Sequence, residues 1–565
     1  MIRSDAGPAP AGPAALGPEA TVGHVVLQRL QDGGVAVVET LDGSDPRPVA
    51  RLPADGLADY VRAREPDRPR WTWDCTTRWY PALLRAGVRV EKCWDLRLSH
   101  DLLRGSPLAA PATGDDSAAW DALQPADPGA TALFDGHDLL GLDVTGELRR
   151  QHEALAAADH RGLGLLLTAE SGGALVAAEM TDAGLPWRAD VHAAVLVDLL
   201  GPRPVAGRRP AVLEGLLAQV RVAFDAPGVN PDSPGSLLQA LRGAGLEVED
   251  TRSWTLEQLD HPGVPALLAY KRLARLLAAN GWQWLDTWVH DGRFRPEYLV
   301  GGVVTGRWSS RGGGALMVPG SLRTAVVADE GWRFVVADAA QLEPRVLAGM
   351  SGDDAMIAAG RGRDLYEGMV SSGAVATRAE AKLGIISAMY GGTRGESGRM
   401  VARLSRRYPS AFALVEEAAR AGERGEVVRT LLGRGSPVPR GAWTEPVHED
   451  AVANPAFDRD RRAWGRFTRN FVVQGTAAEW ALCWLALLRN RLWQLGPPDA
   501  APRERPHLVT FLHDEVLVHT PADLAAEAAG AVRATAEEAG RLLLGPGSVD
   551  LPLDVHLVRS WADAG

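Results

Sequence analysis

The stretch Leu508–His519, LVTFLHDEVLVH, decides how the chain is read. Two apolar β-type runs flank His513-Asp514-Glu515, which predicts a hairpin with acids at its tip. A second apolar run, Arg333–Asp338 (RFVVAD), also ends in an acid. Carboxylates at strand ends suit hard divalent cations, which bind through oxygen. Asp338 and Asp514, if brought together, could hold two Mg²⁺ ions, with Mn²⁺ as an alternative. Each Asp alone also reads as an ordinary residue of a turn, and spacing does not show that the two meet. His513 can donate a hydrogen bond to a phosphate, or be a half-buried strand histidine. Glu515 is a further metal ligand or an exposed acid.

Residues 377–391 read as a helix with Arg378, Lys382, Ile386 and Tyr390 at successive i+4 steps. Two cations on the first half of that face could grip a triphosphate, and Tyr390 could pack on a base or sugar. The alternative is a solvated surface helix. Of the 60 Lys and Arg residues only Lys92, Lys271 and Lys382 are lysine. A lysine kept against that bias can be there for its compact ammonium.

At 565 residues the chain is long enough for two to four units. Three cysteines without a CxxC pair argue against a secreted disulfide framework and make a reducing cytoplasm the expected setting. No run of eighteen apolar residues predicts a membrane span, so no membrane partner is expected. The net charge of −11 argues mildly against nucleic acid, but a local basic groove matters more. Arginines do cluster, at Arg394, Arg399, Arg403, Arg406 and Arg407, and again at Arg459, Arg461, Arg462, Arg466 and Arg469. Each run also reads as a solvated helical face.

Residues 1–20, rich in Ala, Pro and Gly, read as a disordered leader without the pattern of a signal peptide. Residues 21–104 suggest a small α/β unit, and 105–130 a loop or linker. From about 146 to 300, apolar residues recur at helical spacing. Beyond Val303 the strand ending in Asp338 precedes a helix, further helices at 377–391, 410–421 and 464–493, and the hairpin.

Six segments, taken in order, resemble the family A DNA polymerases. Thr305-Gly306-Arg307-Trp308-Ser309-Ser310 is similar to the family's TGRLSS segment. Asp338-Ala339-Ala340-Gln341-Leu342-Glu343-Pro344-Arg345 resembles motif A, DYSQIELR. Arg378-x3-Lys382-x7-Tyr390-Gly391 matches motif B, and Thr430-Leu431-Leu432-Gly433-Arg434 the T-x-x-G-R segment. Arg466-x3-Asn470-x3-Gln474-Gly475-Thr476-Ala477-Ala478 fits the R-x3-N-x3-QGTAAD helix, with Glu479 for Asp. His513-Asp514-Glu515-Val516 is motif C. Glu179-Met180 with Gly184 is similar to a turn of the family's thumb.

The resemblance implies an α+β right-hand polymerase. It has thumb, palm and fingers, an antiparallel palm sheet, and a small α/β exonuclease-like N-terminal domain. Implied bounds are 21–130 for that domain, 146–300 for the thumb region and 301–565 for palm and fingers, with the fingers at about 360–450. No 5′ nuclease domain is expected. Asp338 and Asp514 are implied metal ligands; Asp338, Asp514, Lys382 and Glu515 are implied catalytic residues. Arg378, Lys382, Ile386, Tyr390, Glu343 and Gln341 would meet the nucleotide, with Glu343 blocking a 2′-hydroxyl. Thr305, Arg307, Ser309, Arg345, Arg466, Asn470, Gln474 and His513 would meet DNA. Implied partners are primer–template DNA and deoxynucleoside triphosphates, for a cytoplasmic, nucleoid-associated monomer.

No Asp-x-Glu precedes residue 130, and Trp79 stands where the proofreading domain's second motif has Asp. That domain is therefore expected to be inactive as an exonuclease. Other departures are Ala339, Ala340, Pro344 and Gly349 in and after motif A, Ile386 and Ser387 in motif B, and Phe511 before motif C. Loss of the aromatic at 386 removes stacking worth about 1 kcal/mol. The expected activity is DNA-templated deoxynucleotide addition without proofreading. The alternatives are a non-catalytic DNA-binding protein with the polymerase fold, or a polymerase of relaxed sugar or template choice.

Overall fold

The computed structural model describes residues 23–109, 119–120, 123, 142–158, 160–311, 313–392, 395–439, 455–497 and 499–564. The expected leader at 1–20, most of the 105–130 linker and Arg394 lie outside these residues. The chain divides into two compact units.

The first unit opens on a five-stranded sheet of β1 (His24–Arg29), β2 (Val35–Thr40), β3 (Arg47–Leu52), β4 (Arg70–Trp73) and β5 (Cys93–Asp95), ordered β3-β2-β1-β4-β5. β1 pairs antiparallel with β2 and parallel with β4. Trp71, Trp73, Trp79 and Tyr80 are buried between this sheet and its helices. The helix Arg161–Ala183, within the expected 146–300 segment, belongs to this unit and adds Leu175 to the same core.

The second sheet contains β6 (Trp332–Ala339), β7 (His507–Leu512), β8 (Glu515–Pro521) and β9 (Leu553–Val558), ordered β7-β8-β6-β9. β7 and β8 form the predicted antiparallel hairpin, Leu512 opposite Glu515. Alternation is lost in β6 because Phe334–Ala337 are buried on both faces, as a central strand requires. One long helix, Pro455–Leu495, exceeds the predicted 464–493 and lies along the core of this unit. Trp480 and Trp484 lock it to the helix Ala525–Leu544 by donating to Ala536 O and Val532 O, both at 3.2 Å. The helices Arg378–Tyr390, Gly395–Arg407 and Pro409–Glu423 share a separate apolar cluster around Ile385, Leu404 and Val415.

The second unit is largely helical. Ser233 caps Pro234–Gly243 through Ser236 N–H, with Pro234 at the first helical position. Leu237, Leu241 and Leu267 are fully buried in its core.

The three cysteines are free and buried, as expected without disulfides. The helices Arg161–Ala183 and Pro455–Leu495 contain windows long and apolar enough to cross a membrane, although no such run was expected, and most of each window is buried inside the protein.

Candidate active site

The hairpin is closed by His513 and Asp514. His513 adopts φ +60°, a left-handed conformation that a β-branched residue would resist. Asp514 O accepts from Ala339 N at 3.0 Å, so the hairpin tip is stitched to the end of β6. Asp338, one residue earlier, thereby comes beside Asp514. Burial pushes the Asp514 carboxyl up to about 6, and the negative charge of Asp338 adds to the effect. The two acids that the sequence left 176 positions apart thus meet at one sheet edge.

They open into a cleft of about 940 Å³, solvent included. Arg307, Gln341, Glu343, Ile386, Tyr390 and His513 line it with them. Arg307 forms an ion pair with Glu343, and Tyr390 Oη lies 3.5 Å from Glu343 Oε2. Ile386 and Tyr390 are exposed on the helix Arg378–Tyr390, so that face turns outward as the i+4 spacing predicts. The imidazole of His513 is held below its ordinary pKa by desolvation, then by the Arg307 charge.

Lys382 is exposed on the same helix and has no ion-pair partner among the described residues. Arg378, at the helix start, donates to Asp364 Oδ2 from Nη2 at 2.8 Å and from Nε at 3.2 Å. Gln341 adopts φ +57° ahead of the helix Leu342–Ser351, its amide donating to Asp364 and its carbonyl accepting from Leu365 N at 2.8 Å. Asp364 and Tyr366, which sequence reasoning missed, therefore belong to the site. Asp364 had a legible signal, an Asp-x-x-Glu start ahead of the helix Leu365–Ser371. Tyr366 had none; it lines the cleft, its phenol pushed up to about 12 by burial.

Other expected DNA contacts stand differently. Arg345 is 1 % exposed, its guanidinium given to Gly360 O (2.9 Å), Arg363 O (2.6 Å) and Asp550 O (3.2 Å). Its position is that of a scaffold, because a helix residue three past Leu342 points into the core. Thr305 is also buried, and its hydroxyl donates to Gln474 Oε1 at 2.8 Å. Asn470 carries a buried Nδ2 with no partner. Arg466 is exposed, its stem against Gly391. Ser309 opens a short strand, Ser309–Arg311, and Glu515 opens β8.

Two adjacent carboxylates, of which Asp514 is raised in pKa by burial and then by the charge of Asp338, fit divalent cations. No cluster of three or more metal-binding side chains occurs among the described residues, so further coordination would fall to backbone, solvent or substrate oxygens. Facing them is a cation-bearing helix. Such a site suits a substrate that carries phosphates.

In the N-terminal sheet the acids are consumed internally. Asp74 accepts from Trp79 Nε1 (2.6 Å) and Cys75 N (2.6 Å), and pairs with Arg78. Asp95 accepts from Thr76 N (2.7 Å) and Leu98 N (3.0 Å). β1 carries no acid at all.

The family profile described as DNA polymerase family A matches residues 237–563. DNA polymerase I of Chloroflexus aurantiacus is 28% identical over 361 residues, which cover 58% of this chain and 36% of that protein. The thermostable DNA polymerase I of Thermus filiformis is 27% identical over 385 residues, 61% of this chain and 41% of that one. The chain thus spans less than half the length of these curated relatives. A solved structure, the POL domain of Pol1 from M. smegmatis in complex with DNA primer-template and dNTP, superposes with TM-score 0.66 at 20% identity, covering 96% of each chain.

Proposed function

The chain belongs to DNA polymerase family A, and on that premise we propose that it adds deoxynucleotides to the 3′-hydroxyl of a primer on a DNA template. The observation that carries this reading is the meeting of Asp338 and Asp514 in a cleft walled by the helix of Lys382. The two carboxylates would hold divalent cations, Mg²⁺ or Mn²⁺, which supply activation of the hydroxyl and neutralisation of phosphate charge. Arg378 and Lys382 bind the triphosphate, and Lys382 is the candidate proton donor to the leaving pyrophosphate. Glu343 fills the space of a 2′-hydroxyl, and its ion pair with Arg307 keeps the carboxylate in place. Tyr390 packs beside it. Arg307, Gln474 and His513 meet the primer–template. The catalytic contribution of these side chains is positioning and charge complementarity in a partly water-excluded cleft.

The N-terminal domain does not proofread in this reading. Asp74 and Asp95 are engaged by Trp79, Arg78, Thr76 and Leu98, and no group of three or more possible metal ligands occurs there among the described residues.

Purified protein is incubated with a labelled primer–template, Mg²⁺ or Mn²⁺, and either deoxy- or ribonucleotides, beside Asp514→Ala. Extension with deoxynucleotides that is lost in the variant is the expected result. DNA binding with no extension in either metal would favour the non-catalytic alternative. Primer shortening without nucleotides would overturn the view of the N-terminal domain.

A further inference from the structure

The first unit holds another cavity, of about 490 Å³ with solvent included, that shares no lining residue with the cleft. Its walls come from the N-terminal domain (Arg89), the helix Arg161–Ala183 (Glu179, Asp182), the helix Pro455–Leu495 (Arg489, Trp493) and the segment that enters β7 (Arg503). Leu84, Leu492 and Leu508, all buried, form its apolar side.

Two buried guanidinium groups share one carboxylate here. The side chains of Arg89 and Arg489 are 7 % and 3 % exposed, and both pair with Glu179. Arg489 spends every nitrogen: Nε donates to Glu179 Oε2 at 3.0 Å, Nη1 to Glu91 O at 2.5 Å and Nη2 to Val90 O at 2.7 Å. Arg89 does not. Its Nη2 donates to Asn490 Oδ1 at 2.7 Å and Arg489 O at 3.2 Å, and its Nε lies 3.4 Å from Glu179 Oε1. Its Nη1 has no hydrogen-bond partner among the described residues. No unpartnered nitrogen of Arg89 is sealed from solvent, so Nη1 opens to the cavity that Arg89 lines.

The acids nearby are already engaged. Glu179 also accepts from Tyr80 Oη at 2.7 Å. Asp182 takes Arg503 Nε at 3.0 Å and Nη2 at 2.8 Å, which leaves Arg503 Nη1 without a partner among the described residues. Glu65, which also acts on Arg89, accepts from Trp71 Nε1 at 2.7 Å and Glu91 N at 2.6 Å. The Trp493 ring carries two cations, with Arg89 Cζ 4.8 Å and Arg505 Cζ 3.8 Å from its centre. Burial, then the Arg489 charge, pulls Arg89 down to about 10. Buried cations in excess of their carboxylates are costly unless an anion supplies the missing charge.

We propose that this cavity binds a small free oxyanion of the phosphate class, taken by Arg89 Nη1 and Arg503 Nη1. Guanidinium N–H groups match the oxygens of such an ion and bind them by charge-assisted hydrogen bonds. The closed part of the cavity has room for a few water-sized groups, which suits an inorganic ion and excludes a nucleotide. Bound there, the ion joins the N-terminal domain to two core helices and to the entry of β7. The proposal does not depend on the polymerase reading.

Equilibrium dialysis of the full chain against radiolabelled inorganic phosphate, without divalent cations, tests it. The cleft is set aside by Arg378→Gln with Lys382→Gln, since those side chains are proposed to take phosphates. That double variant should keep saturable phosphate binding. Adding Arg89→Gln should weaken it on the order of 10-fold or more, as loss of a charged hydrogen bond implies. Arg503→Gln, at the open side, should weaken it less. Deoxythymidine monophosphate should not displace the label. No saturable binding to the double variant up to about 10 mM phosphate overturns the proposal. So does an affinity unchanged by Arg89→Gln, or displacement by the nucleotide at equal concentration, which would mean a larger ligand. Circular dichroism checks each fold. If Arg89→Gln does not fold, Arg503→Gln decides, and an unchanged affinity there overturns the site.

Discussion

Arg378 and Asp364 are joined through one carboxylate oxygen, which takes both Nη2 at 2.8 Å and Nε at 3.2 Å. Burial opposes ionisation of Asp364, but the Arg378 hydrogen bond and charge, with hydrogen bonds from Glu367 N and Gln341, together hold the carboxyl below its ordinary range. The same side chain caps the helix Leu365–Ser371 through Glu367 N–H at 2.9 Å. Without nucleotide, then, the cation expected to hold a triphosphate is already satisfied.

Asp364→Asn keeps the cap, because Asn caps as well as Asp, and removes the charge. An incoming triphosphate no longer competes with a carboxylate for Arg378. Partly exposed ion pairs are worth about 0.2–1 kcal/mol. The apparent KM for deoxynucleotides should therefore fall, by up to about 5-fold. Steady-state primer extension over a range of nucleotide concentrations checks it, and a raised KM would show that Asp364 positions Arg378 instead of restraining it.

Glu343→Ala removes the carboxylate proposed to fill the space of a 2′-hydroxyl and leaves Arg307 without its partner. The preference for deoxy- over ribonucleotides, measured as the ratio of kcat/KM values, should drop on the order of 10–100-fold. Primer extension should also lose efficiency with both sugars, because Arg307 is no longer held.

Glu479 is fully buried, where the family has Asp, and accepts from Thr430 and from Leu432 N at 3.0 Å. Burial raises its carboxyl to about 7 from an ordinary 4.5, against the pull of those hydrogen bonds. Its folded-state pKa lies above the unfolded one, so the chain binds more protons when folded between these values. Stability from this group is complete below about 4.5, declines as pH rises to about 7, and stays lost above it. The amount is on the order of 3 kcal/mol. Glu479→Gln should flatten that part of the pH profile and melt higher than wild type at pH 8, relative to pH 5. Denaturant unfolding at the two pH values decides.

Arg489 is 5 % exposed and reaches from the helix Pro455–Leu495 into the N-terminal domain. It donates to Val90 O (2.7 Å) and Glu91 O (2.5 Å) and pairs with Glu179, which also accepts from Tyr80 Oη at 2.7 Å. Arg489→Met leaves Glu179 with the more weakly placed Arg89, whose Nε is 3.4 Å away. A loss of about 3 kcal/mol is expected, from a buried charge pair broken on one side. Residues 23–105 should become the first region cut in limited proteolysis. Cleavage spread evenly along the chain would mean that this contact does not hold the domain.

Much of the site was readable because its chemistry is local. Asp514 had to sit at a hairpin tip, since the apolar runs on either side allow no other turn. Ile386 and Tyr390 had to face one way, since helical spacing leaves no choice. What escaped is what depends on distant partners. Arg345 has the same sequence signature as a surface arginine, and only the approach of Gly360, Arg363 and Asp550 turns it inward. Tyr366 reaches the cleft because a chain reversal before Leu365 brings it there, and no periodicity records that. Asp74 and Asp95 show the opposite case: acids at strand ends, like Asp338, that internal donors claimed.

Near the end of the N-terminal domain, Ser106 Oγ donates to Gly433 O at 2.7 Å, and a Cβ on Gly435 would lie 1.9 Å from Gly105 O. This contact falls on the turn whose Thr430 and Leu432 hold Glu479, and whose Arg434 pairs with the buried Glu170 at 2.8 Å. The N-terminal domain is therefore one wall of the turn that braces the helix Pro455–Leu495. It is not a module that could be exchanged at will. Replacing it with another domain would require the donor to bring a backbone carbonyl as close as Gly105 does, against a glycine.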